Sequence, residues 1–246
     1  MRYSTDGYVL VTGAGSGIGR SLAIKFLKMG YPVVLVGRTR EKLEMVKRKI
    51  PESISLVIEA DVSNQMEVKK MFGIANNWQG NPFIVVSSAG EGIFGDNREF
   101  TQSDVEKVMA GNLFGTIFVS QQAFFEMKLK GGFIVNLLST AANKITICES
   151  IYSASKWGAK AYTESLKLSA KFTPVKILSV YPGSVDTPFW DDLGVPKSQK
   201  ANFMDPNEVA QIIINNVLIN KSLWVSELVL NRHYEKESSL DNYILS

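Results

Sequence analysis

One cysteine and one histidine in 246 residues remove several kinds of chemistry before any motif is read. Cys148 has no second cysteine with which to form an internal disulfide, and one His with one Cys cannot supply a His/Cys metal cluster, so no metal site is expected. A Ser-His-Asp hydrolase would need His233 as its base, and no G-x-S-x-G turn offers it a nucleophile. No apolar run approaches the roughly 18 residues needed to cross a bilayer. No charged start followed by an apolar stretch and a small-residue cleavage site precedes the first strand, so the chain reads as soluble and cytoplasmic. The formal charge is only +3, without a basic block, which argues against nucleic acid or a membrane surface as partner.

What is present is 45% hydrophobic content, enough for a sizeable core, in a length that fits one α/β domain over 1–246. Short β-branched runs alternate with longer mixed segments: "YVLV", "PVVLVG", "ISLVIE", "FIVVSS", "GFIVNLLS", "VKILSVYP" and "LWVSELVL". That alternation marks βαβ units and a parallel sheet. Strands this continuously apolar are buried on both faces, which requires helices on both sides. The expectation is a three-layer, doubly wound Rossmann fold with a parallel seven-stranded sheet of order 3-2-1-4-5-6-7. The irregular stretch at about 184–205, after the sixth strand, lies where open α/β sheets bind ligands and is read as a substrate lid, anchored by Phe189, Trp190 and Phe203. The segment at about 232–246 reads as a polar tail or an oligomer contact.

Between the first strand and its helix lies "TGAGSGIG", with Gly13, Gly15, Gly17 and Gly19. Glycines there permit positive φ and close backbone approach, and the following helix N-terminus offers N–H groups to a pyrophosphate. A P-loop is excluded, because Ala14 stands where its first Gly belongs and Arg20 replaces its Lys. Ile18 also breaks the G-x-G-x-x-G spacing. At the end of the second strand, where an acid would bond ribose hydroxyls, the chain has Gly37, then Arg38, Thr39 and Arg40. An acid repels a 2′-phosphate and an arginine fork attracts one, with Ser16 or Thr39 adding a hydroxyl; NADP(H) is therefore favoured over NAD(H). Solvated helix-start charges would give the same pattern.

Tyr152 and Lys156 in "IYSASKWGAK" are four positions apart and share a helix face. With 8 tyrosines, chance alone supplies roughly 0.65 such pairs, and a surface lysine lying along a half-buried tyrosine has the same spacing. Position gives the pair its weight, since it follows a candidate Ser139 by 13 residues and lies downstream of the glycine turn. The neighbouring Lys160 reads as a surface residue.

With these motifs in order, the chain resembles the short-chain dehydrogenase/reductase family in its single-domain, carbonyl-reductase-like form. The resemblance rests on "TGAGSGIG", Asp61 and Val62 in "ADVS", "SSAG" at 87–90, Asn112 in "GNLFG", Ser139, Tyr152 with Lys156, and "YPGSVDTPF". It implies that Tyr152 protonates the substrate oxygen and Ser139 holds it. It further implies that Lys156 binds nicotinamide ribose and Asn112 positions a water linked to Lys156. The cofactor contacts it implies come from Gly13, Gly15, Ser16, Gly17, Ile18, Gly19, Arg38, Thr39, Asp61, Val62, Ser88, Ala89, Gly90, Tyr152, Lys156, Pro182, Gly183, Val185 and Thr187. An ammonium beside Tyr152 should draw its pKa down from about 10.

Two departures from the family pattern stand out. "SSAG" replaces the usual NNAG, so Ser87 and Ser88 offer fewer hydrogen bonds than amides. The C-terminal "WVSELVLNRHYEKE" lacks the Gly-Gly segment of acyl-carrier ketoreductases, which weakens a 3-oxoacyl thioester as alternative substrate.

The substrate pocket is expected to be bordered by Ile145, Ile147, Cys148 and Glu149, by Glu91, Gly92, Ile93 and Phe94, and by Phe189 and Trp190, next to Ser139 and Tyr152. The expected reaction is reversible reduction of a small apolar or aromatic ketone or aldehyde, in a homodimer or homotetramer. The alternatives are a non-catalytic dinucleotide-binding or redox-sensing protein, which the four intact relay residues argue against, and a nucleotide-dependent transferase, which leaves the Tyr-Lys pair unexplained.

Overall fold

A computed structural model describes residues 7–191, 193–218 and 223–232. The tail beyond 232, with His233, lies outside the described residues. Strands β1 (Gly7–Thr12), β2 (Val33–Gly37), β3 (Ser55–Glu59), β4 (Asn81–Ser87), β5 (Gly132–Leu137), β6 (Val175–Pro182) and β7 (Glu227–Leu230) form one sheet of order β3-β2-β1-β4-β5-β6-β7. Every pairing is parallel. The expected fold and strand order are therefore observed.

The sheet's two faces explain the unbroken apolar strands. Val9, Val11, Val33, Leu35 and Val86 point toward α1 (Gly17–Lys28), packing with its Leu22 and Phe26 and with Ile213 of a later helix. Tyr8, Leu10, Val34, Val36 and Val85 point the other way. There they meet Phe72 of α3 (Gln65–Gln79), and the layer continues through Val119 and Leu166. Alternate residues of one strand thus serve opposite layers, so neither parity is polar. Helix α2 (Arg40–Arg48) covers the sheet beside β2 through Leu43 and Val46.

Residues 101–129 read in sequence as one segment but divide into α4 (Gln102–Met109), a π-helical turn (Ala110–Phe114) and α5 (Gly115–Met127). The wide turn seats the Asn112 side chain in the interior, where it is fully buried, as π-bulges at functional sites often do. Gly115 fits there because an added Cβ would stand 2.9 Å from Val62 Cγ2. Helix α6 (Ser150–Ala170) follows β5 and carries Tyr152 and Lys156.

The segment after β6 is held to itself rather than hanging as an open loop. Val185 bridges Met204, Asp186 N donates to Met204 O, and Met204 N donates to Ser184 O. Between those ends lie a 3-10 turn (Pro188–Trp190) and the short α7 (Lys197–Lys200), and α8 (Pro206–Leu218) then packs on α1. Only Glu227–Leu230 of the expected last strand pairs with β6; Leu223 and Trp224 are exposed.

Candidate active site

The carboxyl ends of β1, β4, β5 and β6 open onto a cavity of about 600 Å³, continuous with a cleft of about 350 Å³ toward β2 and β3. Gly13, Ser16, Ala89, Gly90 and Glu91 border both. The floor between them is main chain. Gly13 has φ +65, and a Cβ there would stand 3.0 Å from Ala89 N. A Cβ on Gly17 (φ +52) would stand 3.2 Å from Thr187 Cγ2, so the segment after β6 packs closely on the turn. Gly19 borders neither space: it lies behind the turn, where a Cβ would be 2.5 Å from Gly13 O. It belongs to helix–strand packing rather than to the cavity wall. Ser16 caps α1 with no side-chain hydrogen bond, and the first turn holds no acid, which leaves the helix's positive end for an anion.

Thr12 was not singled out in the sequence, yet it supports the "SSAG" segment. Its buried hydroxyl accepts from Ser88 N (3.0 Å) and Ala89 N (3.2 Å). One threonine at the end of β1 thereby fixes the backbone of a segment whose own side chains are short. The signal was its place as first letter of "TGAGSGIG".

Ser139, Tyr152 and Lys156 meet at one end of the larger cavity, with Asn112 behind them. Ser139 caps the 3-10 turn Thr140–Ala142, its hydroxyl accepting from Ala141 N at 3.1 Å. Lys156 Nζ donates to Leu137 O at 3.2 Å and lies 5.7 Å from the Tyr152 ring centroid. The Asn112 side chain does something the sequence did not suggest. Its Oδ1 accepts from Glu91 N and its Nδ2 donates to Glu91 O, both at 2.8 Å, and Nδ2 also donates to Ser155 Oγ at 2.9 Å. It clamps the chain after β4 onto α6.

The expected lowering of the Tyr152 pKa is not observed. Burial pushes the phenol up to about 12; a hydrogen bond with Ser139 pulls it down, and the Glu149 charge adds to the rise. Lys156 is itself buried, and burial draws its ammonium down to about 8. Desolvation outweighs charge here because both groups sit below the surface. Glu149, partly buried on the same rim, is also raised by burial.

On the substrate side Phe94, Phe189 and Trp190 form one aromatic wall against Tyr152, with Phe94 5.3 Å and Phe189 5.8 Å from its ring, centroid to centroid. Trp190 in turn packs on Phe203 at 5.0 Å. Gly92 is required beneath this wall, since a Cβ would stand 2.3 Å from Phe189 Cζ. Ile145, Ile147 and Cys148 do not line the cavity. Ile145 and Ile147 are 75% and 88% exposed and Cys148 is exposed; Lys144 and Thr146 line the cavity instead, beside Glu149, which lines it as expected. Ile93 is also absent from the wall. Glu91 borders the cavity but sends its carboxylate into the neighbouring cleft, 2.5 Å from Arg38 Nη1 and 3.4 Å from Lys107 Nζ.

Lys160 is not a free surface residue: it bonds Asn143 Oδ1 at 2.6 Å, tying α6 to the turn after β5. Asn202, Asn231 and Arg232 complete the rim. Arg232 donates to Phe203 O at 3.2 Å and to Ala201 O, tying the chain after β7 to residues 201–203.

The remaining expected positions fall in these two spaces. Ile18, Ser88, Pro182, Gly183, Val185 and Thr187 line the cavity; Gly15, Arg38, Thr39, Asp61 and Val62 line the cleft. No group of three or more His, Cys, Asp or Glu side chains suited to a metal occurs among the described residues.

A family model described as short chain dehydrogenase matches residues 7–197. An uncharacterized oxidoreductase of Staphylococcus aureus (strain N315) is 30% identical over 231 residues, 94% of this chain and 99% of the relative. A sepiapterin reductase of Chlorobaculum tepidum is 32% identical over 232 residues, covering 90% of this chain and 94% of that one. Among solved structures, a short-chain dehydrogenase/reductase from Vibrio parahaemolyticus superposes with a TM-score of 0.81 at 30% identity, covering 92% of this chain and all of the other.

Proposed function

This chain belongs to the short-chain dehydrogenase family, oxidoreductases that bind a nicotinamide dinucleotide, and from that premise we propose that it is an NADP(H)-dependent reductase of small apolar or aromatic ketones or aldehydes. The observation that carries this reading is the meeting of Ser139, Tyr152 and Lys156 at the end of a cavity whose other end is the glycine turn. The turn suits a dinucleotide because its floor is backbone where side chains would not fit. Gly13, Ser16, Gly17 and Ile18 would hold the pyrophosphate, Asp61 and Val62 the adenine side, and Lys156 the nicotinamide ribose. When bound, the nicotinamide supplies the hydride.

The chain's own residues handle the proton and the oxygen. A phenol pushed up to about 12 is fully protonated at pH 7, so Tyr152 is loaded as the acid. Ser139 donates a hydrogen bond to the carbonyl oxygen and steadies it as charge develops. Lys156, with its pKa near 8, is mostly charged at neutral pH and is placed to donate hydrogen bonds to the nicotinamide ribose. Asn112 acts as a positioning residue through its clamp on Glu91 and Ser155. The aromatic wall of Phe94, Phe189 and Trp190 favours an apolar or aromatic substrate. Residues 184–205 form the lid in this reading.

Arg38, Thr39 and the cleft they line support the preference for NADP(H). Exposed Phe125 on α5 and Leu168 on α6 support assembly into a homodimer or homotetramer. No helix among the described residues is long and apolar enough to cross a membrane. The purified protein should oxidise NADPH faster than NADH across a panel of aromatic and aliphatic carbonyls; binding without turnover on any of them sinks the enzymatic reading. Arg38→Asp should reverse the order of the two cofactors' affinities, and an unchanged ratio would remove Arg38 from the account.

A further inference from the structure

We propose that Glu91 sets how strongly this site prefers a 2′-phosphorylated dinucleotide, because its carboxylate engages the same cations that would receive the phosphate. The inference rests on the NADP(H) reading above and adds a residue that competes within it. Arg38 follows β2 and Lys107 lies on α4, so they approach the cleft from opposite sides. Both converge on Glu91: Oε1 is 2.5 Å from Arg38 Nη1 and Oε2 is 3.4 Å from Lys107 Nζ. The two cations are more than half exposed, at 61% and 59%, whereas the Glu91 side chain is only 16% exposed. The anion is therefore the fixed partner and the cations are the movable ones.

What fixes Glu91 is its backbone. Asn112 bonds both its N–H and its carbonyl at 2.8 Å. The Glu91 stem also lies over Gly111, where a Cβ would stand 3.6 Å from Glu91 Cγ. The clamp fixes the backbone from which the side chain extends, and the buried stem beside Gly111 keeps the carboxylate in the cleft. A 2′-phosphate arriving at Arg38 must take the guanidinium from Glu91 while bearing like charge toward it. A cofactor with a 2′-hydroxyl makes no such demand and leaves the Arg38–Glu91–Lys107 bridge standing. Arg38 thus attracts the phosphate and Glu91 taxes it, so the preference is a difference between two charges rather than the work of arginine alone.

The test is equilibrium binding of NADPH and NADH to the full chain, read by cofactor fluorescence and needing no turnover. Glu91→Gln keeps the side-chain shape and the backbone clamp while removing the charge. It should tighten NADPH on the order of fivefold and leave NADH within about twofold. Glu91→Ala should move the ratio in the same direction, which guards against a folding artefact in either variant. In an Arg38→Ala background the gain from Glu91→Gln should shrink. A weaker or unchanged NADPH affinity in both Glu91 variants, or an undiminished gain without Arg38, overturns the proposal while leaving the NADP(H) reading intact. Wild-type protein that binds NADH alone, or neither cofactor, overturns both.

Discussion

The two ends of the cavity are built from different materials. The glycine-turn end is main chain: Gly13, Gly17 and Gly90 leave no room for a Cβ, and Thr12 and Asn112 hold the backbone through side-chain hydrogen bonds. The other end is side chain: Phe94, Phe189 and Trp190 arrive from two segments far apart in sequence, Phe94 meeting Tyr152 edge-on and Phe189 at a tilt, with Trp190 edge-on to both phenylalanines. A backbone surface is the same whatever side chains evolve around it, so it suits a constant ligand. A side-chain surface changes with each substitution, so it suits a particular substrate.

This difference separates the expected effects of mutation, and the largest falls on the backbone end. Gly19→Val would drive a Cβ into the Gly13 carbonyl, 2.5 Å away, and toward Ser88 Oγ at 3.0 Å. Neither the turn nor the strand behind it can retreat far, so dinucleotide affinity should fall on the order of 100-fold. A binding titration with unchanged affinity would mean the turn is looser than its geometry states.

Lys156→Met lies between the two ends and should part stability from function. The lysine is buried and its pKa is drawn from 10.5 to about 8, so its charge costs up to about 3 kcal/mol at pH 7. The variant should melt about 5 °C higher at neutral pH while losing most of its turnover. Between pH 8 and about 10.5 the unfolded wild-type chain holds this proton more tightly than the folded one. Wild-type stability from this group therefore rises with pH across that window, and the variant's advantage should shrink. A melting difference that stays constant from pH 7 to 10 would show that Lys156 is not desolvated as described.

The smallest of these effects belongs to the side-chain end. Phe189→Ala removes one ring from the aromatic wall and should raise KM for an aromatic carbonyl roughly tenfold, with cofactor affinity unchanged. A loss of NADPH binding in this variant would erase the division between the two ends.

The same division explains what could be read from the letters. Strand order, the glycine turn and the sequence spacing of Ser139, Tyr152 and Lys156 are local or periodic features, and each is written within a few residues. The rim was harder, because facing depends on alternation in an irregular segment. Lys144 and Thr146 line the cavity where the apolar Ile145 and Ile147 are expected, while the expected Glu149 does line it. Hydrophobicity chose the wrong residues there, since the cavity mouth is partly polar and the chain leaves Ile147 in solvent. Asn112 and Glu91 show a second limit: their partnership joins residues 21 apart through a π-helical turn that no periodicity announces. The Tyr152 pKa shows a third, because burial depth is a tertiary quantity and it reversed the direction that charge alone suggested.

The central claim is that Tyr152 supplies the proton to a carbonyl held in this cavity, and the most direct measurement compares wild type with Tyr152→Phe in two assays at once. With the best substrate of the panel, NADPH-dependent turnover should fall roughly a thousandfold, while the Kd for NADPH stays within about twofold, because the ring remains in the aromatic wall and only its hydroxyl is lost. Turnover that survives in Tyr152→Phe would contradict the account and move the acid elsewhere.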